Sequence, residues 1–85
     1  MPVDHIKAIT HQIRKKREEL QYSQEYMAAK MQMGQNCYSK IELGTSKLTV
    51  ERLIAICQLL DMNTGTLLDE ARAGEYLFTI YKQQA

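Results

Sequence analysis

Four polar side chains occupy positions that one side of an α-helix would bring together, and their types suit hydrogen bonding to nucleic-acid bases. They are Gln35, Asn36, Ser39 and Lys40. At about 100° per residue, the other side of the same helix holds Cys37, Tyr38 and Ile41. An amide matches the donor and acceptor edge of adenine, and a hydroxyl or ammonium group suits phosphate, guanine or thymine. The pattern predicts a base-reading helix; the alternative interpretation is an ordinary solvated helix face.

Two short helices joined by a tight turn would position this polar face. We predict the second helix over Gln35–Leu43 with Gly34 as its N-cap, and a first helix that starts at Gln24 after the N-cap Ser23. An amide at a helix N-terminus can bond a phosphate, which makes Gln24 a candidate phosphate contact. The turn is the segment 32–34. The first helix would bury an apolar stripe of Met27, Ala28 and Met31.

Residues 17–68 resemble the helix-turn-helix domain of the phage repressor and Cro-like family, often called XRE-type. The segment YSKIELG at 38–44 is the most specific part of this resemblance. The other matching residues are Arg17, Ser23, Gln24, Ala28 and later leucines. The resemblance implies an all-α, five-helix, lambda-repressor-like bundle, mostly dimeric, that binds palindromic operators.

The resemblance also implies roles for individual residues. Gln24 would anchor a phosphate, and the polar face would enter the major groove. Arg17 and Glu42 would form a partly buried ion pair that joins helix 1 to the end of the recognition helix. Three positions depart from the family pattern: Gln32 replaces a turn glycine, Gly34 replaces Ser or Thr, and Leu43 replaces a basic residue or Asn. The first departure predicts a slightly different turn.

Helical periodicity predicts three more helices. They run over about residues 5–20, 50–60 and 64–73, with Asp4, Thr49 and Asn63 as N-caps. Their predicted buried residues are Ile6, Ile9, Ile13 and Leu20, then Val50, Leu53, Ile54, Cys57 and Leu60, then Leu67 and Leu68. Gly44 is suited to end the recognition helix. The polar loop after it would meet backbone phosphates through Thr45, Ser46 and Lys47.

Charge is distributed unevenly along the 85 residues, although the formal net charge is only +1. Residues 1–52 hold nine basic and six acidic side chains, whereas residues 53–85 hold two basic and four acidic ones. The positive half contains the helix pair, as expected for an electrostatic footprint on phosphates. A chain of this length with 45% hydrophobic residues can bury one modest core.

The remaining composition predicts a cytoplasmic protein that is not an enzyme. No apolar run approaches the roughly 20 residues of a membrane helix, and residues 1–10 lack an apolar signal core. Cys37 and Cys57 lack metal-type spacing and are predicted to be reduced packing residues. His5 and His11 are six residues apart, a spacing that does not place them on a common metal-binding helix face. We therefore predict no catalytic residues, no metal and no cofactor.

An apolar segment follows Gly74. We predict a helix-turn-helix domain over residues 1–73 and a tail over 74–85, whose residues 76–81 fit either a strand or a helix. A two-fold partner would cover its apolar side chains, which are Tyr76, Leu77, Phe78 and Ile80. Packing of the tail on its own domain is the alternative.

Two functions fit these patterns. The first is a small transcriptional regulator, a repressor, that binds a palindromic double-stranded DNA operator as a homodimer. The second is an antitoxin or adaptor whose main partner is another protein. Retention of Gln24, Gln35, Asn36 and Lys40 favours DNA, because a pure adaptor does not need them.

Overall fold

Helices form the regular secondary structure of residues 5–72, the part of the chain that this computed structural model describes. The helices are α1, His5–Glu19; α2, Gln24–Lys30; α3, Gln35–Leu43; α4, Val50–Leu59; and α5, residues 64–72. The predicted all-α, five-helix fold is confirmed. Within 5–72, no helix has the length and hydropathy that crossing a membrane requires. The predicted N-cap Asp4 and the tail 74–85, including its proposed dimerisation residues, lie outside the described residues.

Side-chain caps begin three of the helices, each at the residue predicted from the sequence. The side-chain oxygens of Ser23, Thr49 and Asn63 accept hydrogen bonds from the backbone N–H three residues later, at 2.9, 3.1 and 2.8 Å. Each cap satisfies an otherwise unpaired donor and stabilises the protein by about 1 kcal/mol. The N-cap of α3 is Gly34, which has no side chain to offer.

Left-handed backbone closes the turns on both sides of α3. Gly44 has a φ of 76°, and its N–H donates to the Ile41 carbonyl at 3.0 Å. Gln32, in the turn between α2 and α3, has a φ of 57°. This is the conformation that glycine favours, so Gln32 bears a conformational cost of roughly 1–2 kcal/mol.

One hydrophobic core lies between the five helices. Its buried members are Ile9, Ile13, Met27, Ala28, Tyr38, Ile41, Leu53, Ile56, Cys57, Leu60, Leu67 and Ala71. Met31 and Met33 flank this core and are only half-buried. The α2–α3 pair is therefore joined by apolar contacts on its inner side, which leaves its outer side free for polar residues.

Five residues predicted to be buried are exposed instead, and each lies at the rim of the core. They are Ile6, Leu20, Val50, Ile54 and Leu68. Ile6 and Val50 lie in the first turns of their helices, and Leu20 follows the end of α1, where the neighbouring helices no longer cover them. Conversely, Ile56 is fully buried, and the inner side of α1 includes the polar Thr10 and Arg17. Periodicity therefore overestimated how far the ends of the helices are covered. In the middle of α4 and α5 it also overestimated the width of the covered side, since Ile54 and Leu68 are exposed while Ile56 is buried.

A buried ion pair joins the last turn of α1 to the last turn of α3. Arg17 donates through Nε to Oε2 of Glu42 at 2.7 Å and through Nη2 to Oε1 at 3.1 Å. The remaining terminal nitrogen, Nη1, donates to the Tyr22 carbonyl at 2.8 Å. The Arg17 side chain is 10% exposed and the Glu42 side chain 2%. The structure therefore brings together the two residues that the resemblance paired, in a bidentate geometry that is the strongest available to Arg and a carboxylate.

The surroundings keep both groups charged. Burial by itself raises the pKa of Glu42, but hydrogen bonds to the carboxylate, above all from Arg17, outweigh it and hold that pKa below its ordinary value. The hydrogen bond to Glu42 raises the pKa of Arg17, against the effect of burial. Burial and then the adjacent carboxylate raise the pKa of Tyr38, so its hydroxyl stays neutral. That hydroxyl lies close to Glu42, but its geometry falls short of a hydrogen bond; among the described residues, it is the buried side-chain polar atom left without one.

Disruption of the ion pair should destabilise the protein strongly. We expect Arg17→Met to lower the free energy of unfolding by about 3–5 kcal/mol, because it leaves the Glu42 carboxylate buried and uncompensated. The Arg17→Met/Glu42→Leu double variant should recover part of that loss. Urea unfolding of the wild type, both single variants and the double variant measures the coupling, and purely additive losses would show that the two residues do not interact.

Two controls accompany this cycle. Arg14 pairs with Glu18 at 3.7 Å on the exposed side of α1, so Arg14→Met should change stability by less than about 1 kcal/mol. The second control is the dependence of stability on pH. Because folding lowers the pKa of Glu42, the ionised carboxylate adds to the free energy of unfolding above about pH 4.5, and this addition is lost as the pH falls through the lowered pKa. The double variant should lack this part of the acid dependence.

Candidate nucleic-acid interface

α3 presents a polar outer side because its inner side is anchored. Tyr38 and Ile41 are fully buried, while Gln35, Asn36 and Lys40 are exposed. Ser39 is half-buried and lies at the edge of this polar surface. The structure thus brings three of the four predicted base-contacting residues to one exposed side of a helix and places the fourth beside them.

α2 supports α3 at close range. Met27, at 0% exposed, and Ala28, at 2%, belong to the same core as Tyr38, and the small Ala28 side chain lets the two helices approach. The turn is closed by a hydrogen bond from the Met33 N–H to the Ala28 carbonyl at 2.9 Å. Gly34, one of the three departures from the family pattern, has open space around the position of a Cβ. Side-chain packing between α2 and α3 therefore fixes the orientation of α3 relative to the rest of the domain.

Gln24, the predicted phosphate contact, belongs to the buried polar network. It is the first residue of α2 and is half-buried. Its Nε2 donates to Oε1 of Glu42 at 3.1 Å. This hydrogen bond was not predicted from the sequence, since the two residues are far apart in the chain and neither type demands the other. Glu42 therefore joins the start of α2 to the ends of α1 and α3.

The loop after α3 is shaped by the last carbonyls of that helix. The backbone N–H groups of Thr45 and Ser46 both donate to the Lys40 carbonyl, at 3.0 and 3.2 Å, and the Thr45 hydroxyl donates to the same oxygen at 3.3 Å. Thr45 and Lys47 are exposed, and Ser46 is half-buried. The three residues predicted to contact phosphate thus lie directly after the polar helix, with the Thr45 hydroxyl already engaged.

An aromatic and basic cluster on α2 was missed in the sequence. The rings of Tyr22 and Tyr26 have centroids 4.6 Å apart, and the Lys30 Nζ lies 5.6 Å from the centroid of the Tyr26 ring. The spacing of four residues on α2 could have predicted the contact between Tyr26 and Lys30, because it places side chains one above another along a helix. Tyr22 lies before the start of α2, so its contact with Tyr26 has no helical spacing signal. This cluster adds a cation and a partly exposed ring to the surface beside the polar network.

The described residues form no cluster of side chains that could bind a metal ion. Over residues 5–72, no three His, Cys, Asp or Glu side chains come close enough together to hold a metal ion. Cys37 is half-buried in α3 and Cys57 is buried in α4, both as free thiols. The polar residues that the fold does gather are amides, a lysine and hydroxyls, which are groups that bind by hydrogen bonding and charge.

Comparison with known proteins agrees with this geometry. A family model described as helix-turn-helix matches residues 13–67, which include the whole α2–α3 pair. The fold is similar to that of the crystal structure of the clp gene regulator ClgR from Corynebacterium glutamicum, with a TM-score of 0.83 at 19% sequence identity, covering 98% of this chain and 87% of that one. No curated protein sequence gives a significant match. The helix pair, its buried anchors and the family match over most of the chain lead to one conclusion: the chain belongs to the XRE-type helix-turn-helix family of DNA-binding regulatory proteins.

Proposed function

We propose that this protein is a sequence-specific transcriptional repressor that inserts α3 into the major groove of an operator. The observation that carries the proposal is the exposed polar side of α3, with Gln35, Asn36 and Lys40 outward and Tyr38 and Ile41 fully buried behind them. A helix held in this way can enter a groove without rearrangement of the core. Amides that reach base edges then supply the sequence preference.

Phosphate contacts would set the position of α3 on the duplex. Gln24 begins α2 and hydrogen-bonds to Glu42 in the last turn of α3, and the loop 45–47 follows that same turn. These groups could bind backbone phosphates near the C-terminal end of α3, which fixes register without reading sequence. The excess of basic over acidic residues in 1–52 supports this orientation.

A homodimer on a palindromic operator completes the proposal. One nine-residue recognition helix contacts few base pairs. Two such helices related by two-fold symmetry, about 34 Å apart, contact two half-sites and so double the number of base pairs that are read. We place the contact between copies on α5 and the tail 74–85, with residues 1–73 as the DNA-binding domain. Leu68 on α5 is 44% exposed, which provides apolar surface just before the tail in sequence. A cytoplasmic protein that associates with the nucleoid when bound to DNA fits this function.

A specific observation favours the second candidate, an antitoxin or adaptor that binds another protein. Two large apolar side chains are exposed: Leu43, the last residue of α3, at 61%, and Val50, the first residue of α4, at 73%. A salt titration of binding to random duplex separates the two functions. A steep loss of affinity with salt supports DNA binding, whereas no binding even at low salt supports the adaptor.

Base reading should depend on the first two residues of α3. Each good bidentate contact is worth about 1–3 kcal/mol of discrimination, so Gln35→Ala and Asn36→Ala should each relax preference at one or two positions of every half-site. Selection of bound sequences from a random duplex pool measures this for each variant. Gln58→Ala is the matched control, because Gln58 is an exposed amide on α4. Wild-type preference in either α3 variant would refute that residue's assignment.

Phosphate contacts should affect all sequences alike. Gln24→Ala and Lys47→Ala should weaken binding to specific and random duplexes by similar factors, and Lys47→Ala should lower the salt slope by roughly one unit. Arg72→Ala is the control, since Arg72 is an exposed cation on α5. Affinity measured across a salt series provides both quantities. A changed sequence preference in either variant would contradict a positioning role.

Removal of the tail should separate the two copies. We expect truncation after Gly74 to convert a dimer to a monomer with weaker operator binding, because the apolar area of residues 76–80 is lost. Sedimentation velocity gives the oligomeric state, and circular dichroism checks that the helical domain is intact. If the truncated protein stays dimeric, the tail is not the contact; if the full chain is monomeric, the two-half-site arrangement is wrong.

A further inference from the structure

The amide of Gln24 is held by a residue of the recognition helix itself. Its Nε2 lies 3.1 Å from Oε1 of Glu42, in the last turn of α3. We propose that Glu42 is a positioning residue for DNA binding, which holds the Gln24 amide in place for a phosphate oxygen. The inference rests on the proposed function and deepens it, because it assigns to a buried carboxylate an effect on affinity exerted through a second residue.

The donor and acceptor rules fix how the amide is oriented. An ionised carboxylate only accepts hydrogen bonds, so the amino end of Gln24 must face Glu42. That amino group has a second hydrogen, and among the described residues Gln24 makes no other side-chain hydrogen bond. Because Gln24 is half-buried rather than enclosed, the second N–H can be offered to an external acceptor. A phosphate oxygen is such an acceptor.

Glu42 can hold Gln24 only because it is itself immobile. Arg17 occupies both carboxylate oxygens, at 2.7 and 3.1 Å, and is tied in turn to the Tyr22 carbonyl at 2.8 Å. The Glu42 side chain is 2% exposed, so solvent hardly competes for it. A glutamine with free rotamers loses about two- to tenfold in affinity when binding immobilises it, and a glutamine held beforehand avoids that loss.

A purely structural role for Glu42 predicts a different result. If Glu42 only stabilises the helix packing, a change at Glu42 should weaken DNA binding by the same factor with or without Gln24. If Glu42 acts through Gln24, its effect on affinity should shrink when Gln24 is absent. The coupling between the two residues therefore separates the two roles.

The experiment is a double-mutant cycle on DNA affinity with wild type, Gln24→Ala, Glu42→Leu and the double variant, well below the unfolding temperature. Leucine is chosen at position 42 because glutamine would keep an oxygen that can accept from Gln24. The probe is the duplex recovered by selection from a random pool. We expect Gln24→Ala to weaken binding about tenfold in the wild-type background, and we expect that factor to be two- to tenfold smaller in the Glu42→Leu background. Because Glu42→Leu leaves Arg17 without its counter-ion and can unfold the protein, the cycle is repeated in the Arg17→Met/Glu42→Leu background, which removes both charges. If Gln24→Ala weakens DNA binding by the same factor in every background that folds, the proposal is overturned.

A readout without DNA separates this inference from the proposed function. In the NMR spectrum of the free protein, the side-chain amide of Gln24 should exchange more slowly with solvent than that of the exposed Gln58, and the difference should vanish in the variants at Glu42. Exchange as fast as that of Gln58 in the wild type would overturn the holding role alone. Failure of the wild type to bind any duplex would overturn the proposed function, and with it the role of Glu42 in affinity, whatever the amide spectrum shows.

Discussion

The ion pair between Arg17 and Glu42 is the constraint on which the rest of this structure depends. It places two charges where little solvent reaches them, and removal of either one alone would leave the other buried and uncompensated. The same guanidinium fixes the Tyr22 carbonyl, and the same carboxylate fixes the Gln24 amide. One pair therefore sets the relative positions of the end of α1, the turn that follows it, the start of α2 and the end of α3.

The geometry of α3 follows from two kinds of anchor. Glu42 holds its last turn by charge, and Tyr38 and Ile41 hold its middle by burial. The first turn receives no side-chain cap, since Gly34 offers none. The first turn, which carries the exposed Gln35 and Asn36, is thus the part of the helix least constrained by local interactions. Its order depends on the packing of α3 against α2.

Local preferences and tertiary packing disagree in the turn between these helices. A glutamine occupies the left-handed position at residue 32, where glycine is favoured, and Gly34 occupies an N-cap, where Ser, Asp or Asn would add a side-chain acceptor. The turn forms because the core residues Met27, Ala28 and Tyr38 gain more by packing than the backbone loses. Exposed apolar residues beyond this core, among them Leu43 and Val50, contribute nothing to that packing and remain available as contact surface.

The sequence by itself determined the helices, their caps and the polar side of α3. These features depend on neighbours within a few positions: Ser23, Thr49 and Asn63 are polar residues before helical runs, and period 3.6 separates Gln35 and Asn36 from Tyr38. The pairing of Arg17 with Glu42 was expected only from the family resemblance. Tertiary structure alone decided that Gln24 also binds Glu42, and that Ile6, Val50 and Leu68 stay at the rim of the core. Periodicity states which side of a helix is apolar, but how far another helix covers that side, and which distant donor reaches a buried carboxylate, depend on the packing angles between helices.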